Sequence, residues 1–285
     1  MARLPWLVVG VLILALAAGV VVLDRRQVRR GEPSLLALPW RGAAPTASTP
    51  APAPRPRAGG EVRRIAVIID ELGSRADVFE RVVALSRPVT VALLPELPLS
   101  RRLAREAARA GLEVLLQLPL EPYRFPEVDP GPGVLLTSMP ADEITRRTRQ
   151  HLAAIPGAVG VVTRMGSRFT EDRPSMRALL EPLFFQRLFF VDSLTSQRSV
   201  GYDVARALGI PAGRRQVFVD PDEREASARA GLLEVERWAT RRGSVIAIAH
   251  GRLLTVGLLA EALPRWDAAG LRLVPVSELV TPERT

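Results

Sequence analysis

Polar residues suited to acid–base or metal chemistry recur directly after short apolar runs in this sequence. Asp70 and Glu71 are adjacent carboxylates at the end of the first run, and His250, one of only two histidines, ends the seventh. Other polar residues at the ends of such runs are Gln117, Thr163, Arg164, Asp192, Ser193 and Asp220. Carboxylates near a histidine are typical of metal-assisted or general acid–base hydrolysis. A single acid after a strand is equally well interpreted as a helix N-cap, so the argument for a site depends on convergence.

The composition excludes several kinds of active site. All 39 basic residues are arginine, and the chain contains no cysteine and no asparagine. Without lysine, P-loop NTPases, protein kinases and Schiff-base enzymes are excluded. Without cysteine, thiol nucleophiles, iron–sulfur clusters and disulfides are excluded. Two histidines cannot form a three-histidine zinc site, so any metal bound here depends on carboxylates.

Eight apolar runs alternate with amphipathic stretches after residue 61. The runs cover residues 65–69, 89–94, 113–118, 159–163, 188–191, 217–219, 245–249 and 271–274, and the helical patterns cover 76–85, 100–110, 141–154, 174–186, 222–241 and 256–268. Buried strands that alternate with helices indicate a parallel sheet covered by helices. About eight such units favour a (β/α) barrel over an open dinucleotide-binding sheet, and no G-x-G-x-x-G follows the first run. In a barrel, the polar residues at the strand ends meet on the carboxyl-terminal rim.

Several other residues have two interpretations. Arg164 and Arg168 are expected either to bind a substrate carboxylate or phosphate, or to pair with nearby acids. Ser167 and Ser193 remain candidate nucleophiles, although no G-x-S-x-G motif occurs. We expect His151 to lie on a solvated helix surface near a helix C-terminus. The stretch 183–190, with four phenylalanines, is expected to be core.

The amino-terminal 60 residues differ in composition from the rest. Residues 4–23 are apolar or small apart from Pro5, long enough for one membrane helix, so residues 1–23 are predicted to be a transmembrane anchor or uncleaved signal. Residues 24–61, rich in proline, alanine and arginine, are predicted to be an extended linker. The positive-inside rule, applied to Arg3 and the arginines from Arg25 to Arg30, would place the following domain in the cytoplasm.

The positive charge is concentrated beside the predicted anchor. Residues 1–60 carry eight arginines and two acids, which accounts for +6 of the net charge of +9 and leaves +3 for residues 61–285. The basic segment can meet anionic lipid, whereas the domain lacks the strong positive charge of a nucleic-acid binder. We therefore expect no nucleic-acid partner.

The strand-end motifs resemble those of the divergent polysaccharide deacetylase family, a distant branch of the NodB-like carbohydrate esterases. The matching segments are IAVIIDELG (65–73), LPLEP (118–122), MGSRFT (165–170), VDSLTS (191–196), RQVFVD (215–220) and IAIAH (246–250). They follow the family's order and extend over residues 64–279. The resemblance implies a distorted NodB-like (β/α) barrel of seven to eight mostly parallel strands at residues 62–285. It also implies an extracytoplasmic domain anchored in the inner membrane. This placement is opposite to the one that the positive-inside rule gives from the arginines, and we follow the resemblance.

The resemblance further implies metal-dependent removal of acetyl groups from cell-envelope glycan. In that case Asp70, Glu71 and His250 are the catalytic residues, and Asp70, Glu71, Asp220 and His250 are the metal ligands. The substrate-binding residues would be Gln117, Arg164, Ser167, Arg168, Asp192, Ser193 and Thr195. An oxygen-rich set with one imidazole suits Mn²⁺ or Mg²⁺ better than Zn²⁺.

Two departures from the family pattern weaken the metal site. Gln117 and Arg164 occupy positions where the family tends to have histidine, and an arginine repels a metal instead of binding it. Two hypotheses therefore remain: a metal-dependent deacetylase, or a catalytically inactive barrel, with no metal, that binds glycan or a cell-wall protein. The lost histidines favour the inactive barrel.

Overall fold

The computed structural model describes residues 62–280, so the predicted anchor and linker lie outside the described residues. No helix within that range has both the length and the apolarity required to cross a bilayer. The strands are β1 (Arg63–Leu72), β2 (Thr90–Leu93), β3 (Glu113–Leu120), β4 (Gly160–Met165), β5 (Phe189–Asp192), β6 (Ala212–Arg214), β7 (Val217–Phe218), β8 (Ser244–His250) and β9 (Leu271–Leu273). The helices are α1 (Ala76–Val83), α2 (Ser100–Arg109), α3 (Ala141–Ala154), α4 (Arg173–Gln186), α5 (Gly201–Ala207), α6 (Glu225–Arg242) and α7 (Leu253–Ala268).

Eight strands form a curled, all-parallel half-barrel in the order β6-β5-β4-β3-β2-β1-β8-β7, and β9 pairs with the start of β1. The two end strands, β6 and β7, are consecutive in the sequence and are joined by residues 215–216. Arg215 donates its backbone N–H to Asp192 O of β5 at 3.0 Å, and Gln216 donates to Ile246 O of β8 at 2.9 Å. The side-chain oxygen of Gln216 also accepts the Ile246 N–H at 2.7 Å. This segment therefore links both ends of the sheet.

Alternate residues of each strand face opposite sides of the sheet, because successive side chains in a strand point in opposite directions. One set packs under the helices, and the other forms a smaller cluster inside the curl. The interior cluster contains Ala66, Ile68, Ala92, Leu115, Val162, Phe189, Val191, Ile246, Ile248, Val274, Val276 and Val280. The same alternation puts Asp70, Gln117, Arg164 and His250 on the interior side, at the strand ends.

Each of the eight predicted apolar runs overlaps an observed strand, and each helical pattern overlaps an observed helix, although several elements extend beyond the predicted bounds. Strand β6 and helix α5 were not predicted. Both are short, at three and seven residues, so neither shows enough repeats of an apolar period to be recognised.

Two packing predictions were wrong in part. His151 is 2% exposed and contacts Gly133 O through Nε2 at 2.9 Å, so it is buried against a loop instead of solvated. Phe189 and Phe190 are buried as expected. Phe184 and Phe185, at the end of α4, are 52% and 74% exposed. In this last helical turn Leu183 is the residue that faces the core, so the two phenylalanines that follow it point to solvent.

Candidate active site at the carboxyl-terminal rim

Strand β1 ends in two consecutive carboxylates that share one site. Asp70 faces the interior by alternation, and it is 6% exposed. Glu71 adopts a φ of 57°, and the pairing of β1 with β2 shifts between Ile69 and Leu72. A left-handed conformation is strained for a residue other than glycine and is most often kept at functional sites. In this strand, the left-handed conformation of Glu71 lets the side chains of Asp70 and Glu71 both lie near Arg164 and His250.

Gln117 of β3 fixes the end of β1. Its Nε2 donates to Asp70 Oδ2 at 2.8 Å, and its Oε1 accepts the Glu71 backbone N–H at 2.8 Å. The side chain is 1% exposed, so its amide serves the two acids instead of solvent. The other Asp70 oxygen, Oδ1, is buried and has no hydrogen-bond partner among residues 62–280.

Arg164 of β4 brings a positive charge to the carboxylates. Its Nη1 donates to Glu71 Oε1, and its Nε donates to Pro130 O at 2.9 Å. The guanidinium is therefore held from both sides, by β1 and by the loop that contains Pro130. The Arg164 side chain is only 17% exposed, which limits the screening of this ion pair by water.

His250 lies between two carboxylates. Its Nε2 is 3.3 Å from Glu71 Oε1, and its Nδ1 is 3.1 Å from Asp220 Oδ1. Asp220 is itself buried, and it accepts hydrogen bonds from the His250 backbone N–H at 2.9 Å and from Thr255 Oγ1 at 2.7 Å. Asp220 thus orients the ring from the side away from Glu71.

The buried charges shift three pKa values in different directions. Burial raises the pKa of Asp70 to about 7, although the charge of His250 acts against this. Burial also acts to raise the pKa of Glu71, but the hydrogen bond from His250 and the charge of Arg164 lower it to about 2. For His250, burial acts to lower the pKa, yet hydrogen bonds to Asp220 and Glu71 raise it to about 10. At neutral pH, Glu71 is therefore anionic and His250 is cationic.

Three of these residues form a possible metal-binding group, but a cation already occupies one of its carboxylates. One atom each of Asp70, Glu71 and His250 lies within 4.8 Å of the others, close enough to share an ion. However, Glu71 Oε1 already binds the guanidinium of Arg164, so one of these three groups is occupied by a fixed cation. Asp220, also expected as a ligand, lies on the far side of His250. The guanidinium of Arg164 and the protonated ring of His250 supply the positive charge at this site.

The other predicted binding residues make their contacts outside this centre. Asp192 and Ser193 are buried and turned from the interior: Asp192 accepts from Ser199 Oγ at 2.7 Å, and Ser193 Oγ bonds Thr163 Oγ1 at 2.7 Å. Thr195 is exposed on the rim and donates to Met165 O at 2.7 Å.

Ser167 and Arg168 hold the loop that follows β3. Ser167 Oγ accepts the Tyr123 backbone N–H at 3.1 Å, and Arg168 Nη1 lies 3.3 Å from Glu121 Oε1. Glu121 in turn accepts from the backbone N–H and the hydroxyl of Thr137, both at 2.7 Å. Tyr123, 44% exposed, is thereby presented on the rim.

Three rim residues were missed from the sequence. Arg215 donates to Ser193 O at 2.6 Å and lies over the Phe218 ring, whose centroid is 4.8 Å from that of His250. Arg252 donates to Asp220 Oδ2 at 3.3 Å. The available signal was that Arg215 and Phe218 lie just before and within the apolar run 217–219, and that Arg252 lies three residues after the run 245–249.

The family model described as divergent polysaccharide deacetylase matches residues 67–280. The chain belongs to this divergent polysaccharide deacetylase family. The family expected from the strand-end motifs is thus confirmed, and the parallel, curled sheet is consistent with a NodB-like barrel.

Similar proteins from three bacteria carry names that state no activity. The chain is 32% identical to uncharacterized protein YibQ of Escherichia coli over 198 residues, which are 70% of this chain and 61% of YibQ. An uncharacterized protein of Haemophilus influenzae is 29% identical over 212 residues, 74% of this chain and 72% of that protein. The crystal structure of uncharacterized protein ATU2773 from Agrobacterium tumefaciens is 29% identical, with a TM-score of 0.73 over 79% of this chain and 92% of that one. The chain therefore spans less than two thirds of YibQ.

Proposed function

We propose that this chain is a glycan-binding barrel of the cell envelope that works without a metal and does not remove acetyl groups. The observation that carries this proposal is the ion pair between Arg164 and Glu71, made on the carboxylate oxygen next to His250. A cation already neutralises the group that a metal would need. The domain would then use its rim to hold a ligand.

Polar and aromatic side chains on the rim support a glycan as that ligand. Tyr123 offers an exposed ring, and its hydroxyl accepts from Arg198 Nη2 at 2.6 Å. Ser167, Arg168 and Thr195 add hydroxyl and guanidinium groups around the same opening. Sugars combine an apolar ring face with many hydroxyls, so an amphipathic ring beside donors and acceptors suits them. The family description, which refers to polysaccharide, agrees with this class of ligand.

We also propose that residues 4–23 anchor the chain in the inner membrane, with the domain on the extracytoplasmic side. The apolar length of that segment and the proline-rich stretch after it support this arrangement. A reporter enzyme fused after Thr285 should be active only outside the cytoplasm. Activity restricted to the cytoplasm would contradict the placement.

A deacetylase remains the second candidate, because three observations favour it. Asp70 Oδ1 is buried with no hydrogen-bond partner in the part of the chain that the structure describes, the Asp70 carboxyl has a pKa of about 7, and His250 is oriented by Asp220. A carboxylate that can accept a proton and an imidazole that can donate one are the parts of a general acid–base pair.

Binding and acetate release, measured on the same full-length protein, separate the two candidates. We expect saturable binding to N-acetylated envelope glycan fragments, weakened by Tyr123→Ala, and no acetate release after addition of Zn²⁺, Mn²⁺ or Mg²⁺. Leu253→Ser is a matched control on the same rim, where Leu253 is equally exposed at 44%. Metal-dependent acetate release that is lost in Asp70→Asn would establish the hydrolase instead.

A further inference from the structure

Two exposed aromatic rings lie at the end of the barrel opposite the candidate site. Phe184 and Phe185 form an edge-on pair with centroids 5.6 Å apart, and they are 52% and 74% exposed. Helix α4 ends just after them and leads into the start of β5, so they lie where the strands begin. Exposed apolar groups of this size commonly mark an interaction surface.

Exposed arginines lie at the same end of the barrel. Each helix that connects two parallel strands runs back toward the strand beginnings, so the helix C-termini collect there. The helix dipole favours cations at these positions. The exposed arginines in the last helical turns or directly after them are Arg81, Arg109, Arg187, Arg241 and Arg242. Together with Phe184 and Phe185, they define what we call the amino-end face.

Two acidic groups at this end are already engaged. Asp267 pairs with Arg87, and Glu113 accepts a hydrogen bond from Thr90 Oγ1 at 2.9 Å. The described chain also begins here, at Val62 and Arg63, and the residues that precede it include the apolar run 4–23. The amino-end face is thus basic, carries aromatic rings and is the end at which the chain enters the domain.

We propose that the amino-end face docks on an anionic lipid bilayer, with Phe184 and Phe185 entering the interface and the arginines contacting lipid phosphates. Aromatic rings flanked by cations have the composition of interfacial membrane-binding surfaces. The attraction of arginine to anionic lipid acts over about a Debye length, so it requires the face to lie close to the membrane. Docking in this orientation would turn the rim, with Asp70 and His250, away from the bilayer.

Vesicle co-sedimentation tests this proposal on residues 59–285, which form a compact unit and carry the buried core described above. Omitting residues 1–58 removes the apolar run, which would otherwise insert by itself. We expect binding to vesicles that contain phosphatidylglycerol, weakening with salt, and little binding to phosphatidylcholine alone. Phe184→Ser with Phe185→Ser should lower the partition coefficient by roughly tenfold or more, because both rings lose their apolar contact with lipid.

The matched control is Leu253→Ser with Leu254→Ser, a neighbouring apolar pair exposed at 44% and 40% on the opposite end of the barrel. It should bind vesicles like the unmodified fragment, and circular dichroism should show that both variants are folded. Arg187→Glu with Arg242→Glu should weaken binding independently of the rings. Equal binding to neutral vesicles, or equal loss in the leucine control, would overturn the proposal. Self-association abolished by the phenylalanine variant would assign the face to a second copy of the chain and would also overturn it.

Discussion

Replacing Arg164 by methionine should destabilise the domain strongly for a residue near its surface. The substitution keeps a long apolar stem but removes the cation from Glu71 and the donor from Pro130 O. Glu71 would then keep its charge in a partly buried position, with only His250 beside it. No other group on β4 replaces the guanidinium, so the lost contacts lower the stability of the folded state.

The expected loss follows from the burial of the two side chains. Removing one partner of a fully buried ion pair costs about 3–5 kcal/mol. Arg164 and Glu71 are 17% and 33% exposed, and the cationic His250 stays beside Glu71, so solvent and His250 recover part of that cost. The lost hydrogen bond to Pro130 adds about 1 kcal/mol. We expect Arg164→Met to lower the free energy of unfolding by about 2–4 kcal/mol.

Urea denaturation at neutral pH provides the measurement, and Arg168→Met provides the control. Arg168 pairs with Glu121 at 3.3 Å but is 51% exposed, so its loss should lower the unfolding free energy by less than about 1 kcal/mol. Adding Glu71→Gln should rescue part of the Arg164→Met loss, because it removes a carboxylate that has lost its guanidinium and keeps only the cationic His250 as a partner. Equal effects of the two arginine substitutions, or no rescue, would refute the reasoning.

Three further predictions concern packing and pH. Gly231→Ala should lower the unfolding free energy by about 1–3 kcal/mol, because the added carbon would lie 2.1 Å from Val219 O. Gly257→Ala should raise the unfolding free energy by about 0.5–1 kcal/mol, because this helical site is open and alanine favours the helix. Denaturant titration of both variants compares the two sites. The folded pKa of Asp70, about 7, exceeds the unfolded value of about 3.9, so ionisation opposes folding as the pH rises. Asp70→Asn should therefore stabilise the domain above pH 7 by up to about 4 kcal/mol, with the gain vanishing toward pH 4, and a constant gain would contradict this. Burial lowers the pKa of His151 below its unfolded value, so protonation on acidification favours the unfolded chain. Below about pH 6.5 the stability of the native chain should therefore fall more steeply than that of His151→Gln, as melting measured at several pH values would reveal.

The sequence predicted the sheet well because buried strands and amphipathic helices have distinct periods. The alternation within each strand also explains why Asp70, Gln117, Arg164 and His250 meet: each follows an interior residue by two positions. The position of a residue at a strand end does not by itself determine which way it faces. Asp192 ends β5 after Val191, an interior residue, and therefore lies on the opposite side.

Other features depend on three-dimensional packing that local patterns do not encode. The left-handed backbone of Glu71 gives a side chain to the site that strict alternation would have turned outward. His151 is buried because the loop at Gly133 covers it, and no spacing along α3 reveals that cover. Phe184 and Phe185 continue an apolar run past the point where the helix still faces the core. Hydrophobicity alone therefore predicted burial for two residues that are exposed.

The central claim is that Arg164 takes the place of a metal at the candidate site. Metal content of the full-length protein by mass spectrometry, after exposure to Zn²⁺, Mn²⁺ and Mg²⁺, tests this most directly. We predict no near-stoichiometric metal in the native chain or in His250→Ala, and a gain of bound metal when Gln117→His and Arg164→His are combined. Near-stoichiometric metal in the native chain that falls in His250→Ala would contradict the account.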